Sequence, residues 1–243
     1  MNHRASPWLL CRRPNPQAAI RLYCFPHSGG SPGEYLRWAD DLPQVEVWGV
    51  QLPGRGSRLL EPPVRDIDEL VRQLLEVTSF EGSFAFFGHS LGALISFHAA
   101  VALLEADGRL PRHLLLSAMP PPHTPLQILD PSGASDGELL SHMGRYGTVP
   151  PDALADPALR SIMAEAYRVD LEVLASCQGR QHPVLPVPTT LFAGSDDPLS
   201  EQLEEWDQYL TAPARTIRFP GGHFYLRNEH GALMRALHAV LQP

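Results

Sequence analysis

A chain of 243 residues, 44% hydrophobic and 19% charged, is long enough for one sizeable core and too apolar for general disorder. Nineteen basic against 27 acidic residues leave a formal charge of −8 without a long Lys/Arg run, which argues against a nucleic-acid partner. Three cysteines (Cys11, Cys24 and Cys177) with no C-x-x-C spacing argue against a disulfide framework or a zinc site, and two of the three lie in apolar runs that suit packed thiols in a reducing compartment.

Met1–Arg13 carries a short apolar patch, Pro7–Cys11, before two arginines, and lacks the apolar region and cleavage site of a signal peptide. Continuous apolar runs bounded by Gly and Pro then recur at Ile20–Phe25, Val45–Gln51, Ser83–Phe87, His113–Ala118, Pro188–Ala193 and Arg215–Phe219. Such runs predict strands buried on both faces, as in a parallel sheet. Helical patterns lie between them at Asp66–Glu76, Leu91–Glu105, Ser200–Leu210 and Glu229–Leu241, so the alternation predicts an α/β fold with a mostly parallel central sheet flanked by helices. In Leu91–Glu105 an apolar stripe is read at Leu94, Phe97, Val101 and Leu104, with Asp107-Gly108 as a left-handed cap. The longest apolar stretch, Phe84–Leu104, is broken by His89, Ser90, Ser96 and His98, which is costly for a membrane span. A soluble, cytoplasmic protein with no membrane partner is expected.

Residues Pro120–Pro186 break the alternation. They carry helical patterns without strand signals, the clearest being Leu159–Ser176 with Ile162, Ala166, Val169 and Val173 on one face. This insertion reads as a covering lid or as a long crossover. As a lid, its apolar stripe would line a channel and exclude water. A single domain over residues 1–243 is expected, with the insertion at about 120–186.

The chemistry centres on Gly88-His89-Ser90-Leu91-Gly92, a G-x-S-x-G pattern between the strand Ser83–Phe87 and the helix Leu91–Glu105. The spacing alone is common by chance; its place at a strand–helix junction makes it specific. A sharp turn there lifts the serine clear of the backbone, where a base can reach it. Ser90 is therefore the candidate nucleophile. Of the 11 histidines, His223 follows the last strand and emerges at the same carboxyl edge of the sheet, which makes it the candidate general base. His89 must point away from its neighbour, His98 reads as a packing residue, and His142 and the others have no comparable context. The orienting carboxylate falls between Ser and His in the chain, in Gly194-Ser195-Asp196-Asp197-Pro198; Asp197 is preferred, Asp196 stays open, and either also suits a helix cap. Two backbone N–H groups should receive the developing oxyanion: that of Leu91, and that of Ser28 in Phe25–Ser31, a glycine-bearing loop that is otherwise a flexible turn.

With these residues in place the chain resembles the stand-alone type II thioesterases of polyketide and nonribosomal peptide synthesis, within the α/β-hydrolase superfamily. The resemblance rests on C-F-P-H-S-G-G-S at Cys24–Ser31, Q-L-P-G-R-G-S-R at Gln51–Arg58, F-F-G-H-S-L-G-A at Phe86–Ala93, G-S-D-D-P at Gly194–Pro198 and F-P-G-G-H-F-Y-L at Phe219–Leu226. It implies an α/β-hydrolase fold with a mobile helical lid at Pro120–Pro186, triad roles for Ser90, Asp197 and His223, and acyl or peptidyl carrier proteins as partners. It implies no metal and no cofactor beyond the phosphopantetheine arm that brings the substrate. Leu91 stands where many relatives carry methionine. Arg55 and Arg58 are either phosphate contacts, and so a docking patch for the carrier, or part of a solvated charged loop. A small-molecule esterase or lipase on the same machinery is the alternative, although P-H-S-G-G-S stands where a lipase-type H-G-G-G would be. An inactive binding module is disfavoured because all three triad residues are present. A releasing or cyclising domain is disfavoured by the length, Met1 and the lack of a preceding carrier domain.

Overall fold

Two-sided burial is what makes continuous apolar runs into strands here, because neither face of the sheet has to meet water. The computed structural model describes residues 6–106, 108–146, 149 and 155–242. Its strands are β1 (Leu9–Cys11), β2 (Ile20–Phe25), β3 (Val45–Val50), β4 (Phe84–His89), β5 (His113–Ser117), β6 (Thr189–Gly194) and β7 (Arg215–Phe219). The helices are α1 (Gly33–Leu36), α2 (Ile67–Val77), α3 (Leu91–Ala106), α4 (Asp136–Gly144), α5 (Pro157–Cys177), α6 (Tyr225–Asn228) and α7 (His230–Leu241). Strand order is β1-β3-β2-β4-β5-β6-β7, all parallel except β1, which pairs antiparallel with β3. This is the α/β-hydrolase architecture expected of the sequence, with one addition. The edge strand β1 comes from the apolar patch near the N-terminus, whose three residues are too few to carry a period.

Alternate residues point to opposite faces of the sheet. Tyr23, Phe25, Phe84, Phe86, Leu114 and Leu116 join the core beneath α2, α3 and α5. Leu22, Cys24, Ala85, Phe87, Leu115 and Phe192 join a second core beneath α1, α6 and α7. Helix α3 corrects the expected single stripe. It packs against β2, β4 and β5 below and against α2 and α5 above, so residues 91–101 and Leu103 are all buried while Leu104 is only half-buried. A helix covered on both sides has no polar face to alternate with an apolar one. Gly108 closes it with φ +72° and its N–H on the Leu103 carbonyl at 3.1 Å; Asp107 lies outside the described residues.

The segment expected as a helix at Ser200–Leu210 is a 3-10 helix over Pro198–Tyr209. Its buried residues, Ser200, Leu203, Trp206 and Tyr209, recur every third position, the spacing that a three-residue turn aligns on one side. Helices α4 and α5 are inserted between β5 and β6. Ser135 and Glu138 form a capping box on α4, and Asp156 caps α5 with Pro157 in its first turn. No helix among the described residues is long and apolar enough to cross a membrane.

Candidate active site

Strand β4 runs into α3 with no intervening loop, and Ser90 sits at the junction with φ +56°, a conformation that costs a non-glycine residue energy. Two hydrogen bonds hold it there: Ser90 N–H donates to the Ser117 carbonyl on β5 at 2.8 Å, and Ala93 N–H donates to the Ser90 carbonyl at 2.8 Å. The flanking glycines are required by close approach. A Cβ on Gly88 would stand 2.1 Å from the Gly92 carbonyl oxygen, and one on Gly92 would stand 2.1 Å from that of Phe25.

The ends of β6 and β7 bring the other two residues together. Asp197 Oδ2 lies 2.8 Å from His223 Nδ1, and Asp197 is 2% exposed. Its second oxygen accepts the Leu199 N–H at 3.1 Å, so one carboxylate both orients the histidine and caps the 3-10 helix. Asp196 is exposed, and its backbone N–H goes to the Gly221 carbonyl at 2.9 Å. A carboxylate oxygen only accepts, so Nδ1 carries a proton, and in the neutral imidazole the lone pair is on Nε2. Ser90 and His223 line the same cavity, and no hydrogen bond joins them among the described residues. Bonds of this kind commonly close only when substrate binds.

Ser28 lines the same cavity, and Leu91 opens α3 beside Ser90. Neither amide N–H has a partner in the chain among the described residues. The loop that carries Ser28 is pinned rather than flexible. His27 Nδ1 meets Tyr35 Oη at 3.0 Å, Gly30 N–H donates to the His27 carbonyl at 2.8 Å, and Gly29 N–H donates to Asp170 Oδ2 at 2.6 Å.

Two further histidines stand near His223. Burial, then the nearby Arg227, pushes His27 down to about 3, and burial, with His223 next, lowers His89 well below the ordinary range. Both are neutral at pH 7 and place no fixed positive charge beside the base. His89 points away from the cavity to Ser117 Oγ at 2.8 Å, which in turn meets Tyr225 Oη at 2.7 Å. His98 is a packing residue, with Nδ1 on the Leu94 carbonyl at 2.8 Å.

The cavity over Ser90 holds about 390 Å³, and Met119, Leu126, Met143, Tyr167, Leu171 and Leu174 supply much of its apolar wall. Helices α4 and α5 cover it. The α5 stripe differs from the one expected: Ala166 and Val169 face a separate groove with Pro53 and Leu59, Ile162 is 42% exposed, and Val173 is in the core. Tyr167, Leu171 and Leu174 form the stripe about 100° further round the same helix. His142, which lacked a sequence context, lines the cavity and bonds Tyr167 Oη at 2.8 Å, while the Tyr146 ring lies tilted against that of His223 with centroids 5.2 Å apart.

Both readings of Arg55 and Arg58 are corrected. Each is 6% exposed, so neither forms a solvated loop nor a docking patch. Arg55 forks onto Asp170, Nη2–Oδ1 at 2.5 Å and Nη1–Oδ2 at 2.6 Å. Arg58 pairs with Glu61 at 2.6 Å, donates to the Gln51 carbonyl at 2.9 Å and lies over the Trp8 ring at 4.2 Å. The loop thus folds Arg55 inward against Asp170, more than 100 positions away and not revealed by the loop sequence, whereas Arg58 meets Glu61 three positions on. The one signal for Asp170 was a carboxylate amid the apolar residues of an amphipathic helix, which must find a partner if buried. Among the described residues no group of three or more His, Cys, Asp and Glu side chains is arranged to hold a metal.

A family model described as the thioesterase domain matches residues 20–241. The chain is 33% identical to the medium-chain S-acyl fatty acid synthase thioesterase of Homo sapiens, over 89% of this chain and 84% of that one. It is 31% identical to thioesterase PikA5 of Streptomyces venezuelae, over 94% and 83% of the two chains. Among solved structures, the type II thioesterase BorB from the borrelidin biosynthetic cluster superposes with a TM-score of 0.85 at 32% identity, covering 97% of this chain and 98% of that one.

Proposed function

Because the chain belongs to the thioesterase-domain family, we propose that it is a type II editing thioesterase that hydrolyses acyl thioesters from the phosphopantetheine arms of acyl or peptidyl carrier proteins in polyketide or nonribosomal peptide synthesis. It is a serine hydrolase of thioesters. The observation that carries the reading is the apolar cavity with Ser90 on its wall and the His223–Asp197 pair at its edge. An acyl chain enters that cavity, and the thioester carbonyl comes to rest beside Ser90.

In this mechanism His223 Nε2 takes the Ser90 proton as Oγ attacks the thioester carbon. The tetrahedral oxyanion is received by the Ser28 and Leu91 amides, the second at the positive end of α3. Asp197 steadies the imidazolium that forms. Collapse expels the pantetheine sulfur, which takes the proton from His223 and leaves acyl-Ser90. Water, deprotonated by the same histidine, then releases the carboxylic acid and restores the serine. No cofactor of the enzyme's own enters: phosphopantetheine arrives on the carrier partner.

The test presents one acyl group in three ways: on a carrier protein, on a pantetheine thiol, and as a simple oxygen ester. The expected order of kcat/KM is carrier, then pantetheine, then ester, because the tethered arm helps position the thioester at Ser90. Oxygen esters cleaved as fast as acyl-carrier protein would replace this reading with a general esterase.

A further inference from the structure

We propose that Asp170 is a positioning residue for the oxyanion hole, setting the direction of the Ser28 N–H through the backbone of Gly29, with Arg55 as its counter-ion. The inference rests on the serine-hydrolase mechanism above and assigns a role that the triad does not include.

Asp170 lies in the middle of α5 and is 1% exposed, with Tyr167, Val169, Leu171, Val173 and Leu174 buried around it. A carboxylate there carries a desolvation penalty that its partners must offset. Arg55 forks onto both of its oxygens, and Oδ2 also accepts the Gly29 N–H at 2.6 Å. A buried ion pair adds little stability over apolar residues of similar size, so stability alone is a weak reason to place one here. Geometry supplies a better one.

A peptide group is planar, so fixing one of its polar atoms fixes the other. The His27 carbonyl and the Ser28 N–H belong to one peptide plane, and that carbonyl accepts the Gly30 N–H at 2.8 Å. The Ser28 carbonyl and the Gly29 N–H belong to the next plane, and that N–H is held by Asp170. Two consecutive planes are therefore pinned, and the φ and ψ of Ser28 between them are set. Gly29 is at φ +71°, a conformation that favours glycine, and the Met143 side chain of α4 lies over it. The same α5 carries Tyr167, Leu171 and Leu174 on the cavity wall. One helix thus lines the cavity and holds the Gly29 peptide, next in the chain to the Ser28 amide that meets the reacting oxygen.

The test compares R55M/D170N with R55M/D170L. Both remove the buried charges, and they differ in whether position 170 offers Gly29 an acceptor. Each is measured for melting temperature, for the fraction titrated by a fluorophosphonate, for kcat and KM on an acyl-pantetheine, and for affinity towards an alkylboronic acid, whose tetrahedral adduct places an oxygen in the hole. Losing a whole oxyanion donor costs about 10²–10³ in rate, so a misdirected one should cost R55M/D170L about 10- to 100-fold in kcat relative to R55M/D170N. KM should change little, and boronate affinity should fall in parallel with kcat. A merely structural role would lower the melting temperature or the titratable fraction and leave boronate affinity per active site equal in the two variants; that result overturns the proposal. Amide exchange in the unmodified enzyme gives a reading that does not depend on either variant folding. The Gly29 N–H should be strongly protected, and exchange as fast as an open loop amide also overturns the proposal. An enzyme that binds the boronate at Ser90 yet spares acyl-pantetheine would instead sink the thioesterase reading and leave the Asp170 comparison intact.

Discussion

As the proposed base, His223 works only while its Nδ1–H is held, since that bond fixes the tautomer and aims the Nε2 lone pair. The Asp197 carboxylate supplies this at 2.8 Å from a site that water barely reaches, whereas the neighbouring Asp196 faces solvent. The two aspartates are therefore expected to separate cleanly on mutation. Asp197→Asn should lower kcat by about 10⁴, the size of loss seen when a triad carboxylate is replaced by its amide, and Asp196→Asn should stay near the unmodified enzyme. Ser90→Ala should abolish turnover with the fold intact. Equal losses for the two asparagine variants, in steady-state hydrolysis of an acyl-pantetheine, would mean that Asp197 has no special part. At this scale the sequence went far, because the residue types and their order after successive strands narrow the choice. It left 196 against 197 open, since a one-residue difference in a loop is resolved only by where the backbone turns.

At the scale of elements, the proposed function makes α5 the helix that sets substrate fit. Tyr167, Leu171 and Leu174 face the cavity, while Ala166 and Val169 face a groove elsewhere. A Leu171→Trp or Leu174→Trp variant should shift acyl preference towards shorter chains. Each CH₂ that can no longer be buried forfeits about 0.8 kcal/mol, so excluding two of them lowers kcat/KM roughly tenfold for the long substrate. Ala166→Trp is expected to leave the ratio of long- to short-chain rates unchanged. The opposite ranking, in a chain-length series of acyl-pantetheines, would put the acyl site in the other groove. The period of α5 was legible in the sequence, but its rotation was not. Apolar residues run at both i, i+3, i+7 from 166 and i, i+4, i+7 from 167, and which set faces the serine depends on how α4 and α3 pack around the helix.

For the whole molecule, buried histidines tie the fold to pH. Burial lowers His27 to about 3 and His98 to about 4 in the folded state, against roughly 6.5 in an unfolded chain. Between those limits the unfolded chain binds protons that the folded one refuses, so stability falls as pH drops from about 6.5 towards 4. Each such histidine contributes a slope approaching about 1.4 kcal/mol per pH unit. The exposed Glu69, hydrogen-bonded by Arg72, is lowered to about 2 and titrates below this window. Denaturant melts at pH 7, 6 and 5 should therefore show steady loss of stability, and His98→Gln should flatten that loss. A variant with the same slope as the unmodified enzyme would show that His98 takes up its proton as readily folded as unfolded.

The sequence by itself determined the parallel sheet, the strand-to-helix turn at Ser90 and the position of His223 after the last strand. These follow from local rules: apolar runs bounded by Gly and Pro, glycines flanking a tight turn, and the common edge at which parallel strands end. Only the tertiary structure decided that Arg55 and Arg58 turn inward, that Asp170 reaches the loop of Ser28, and that 167, 171 and 174 rather than 166, 169 and 173 face the cavity. Those outcomes depend on which distant groups meet. A buried charge is satisfied by a partner more than 100 residues away, and a helix's rotation is fixed by the elements packed on it, neither of which any local stretch of sequence encodes.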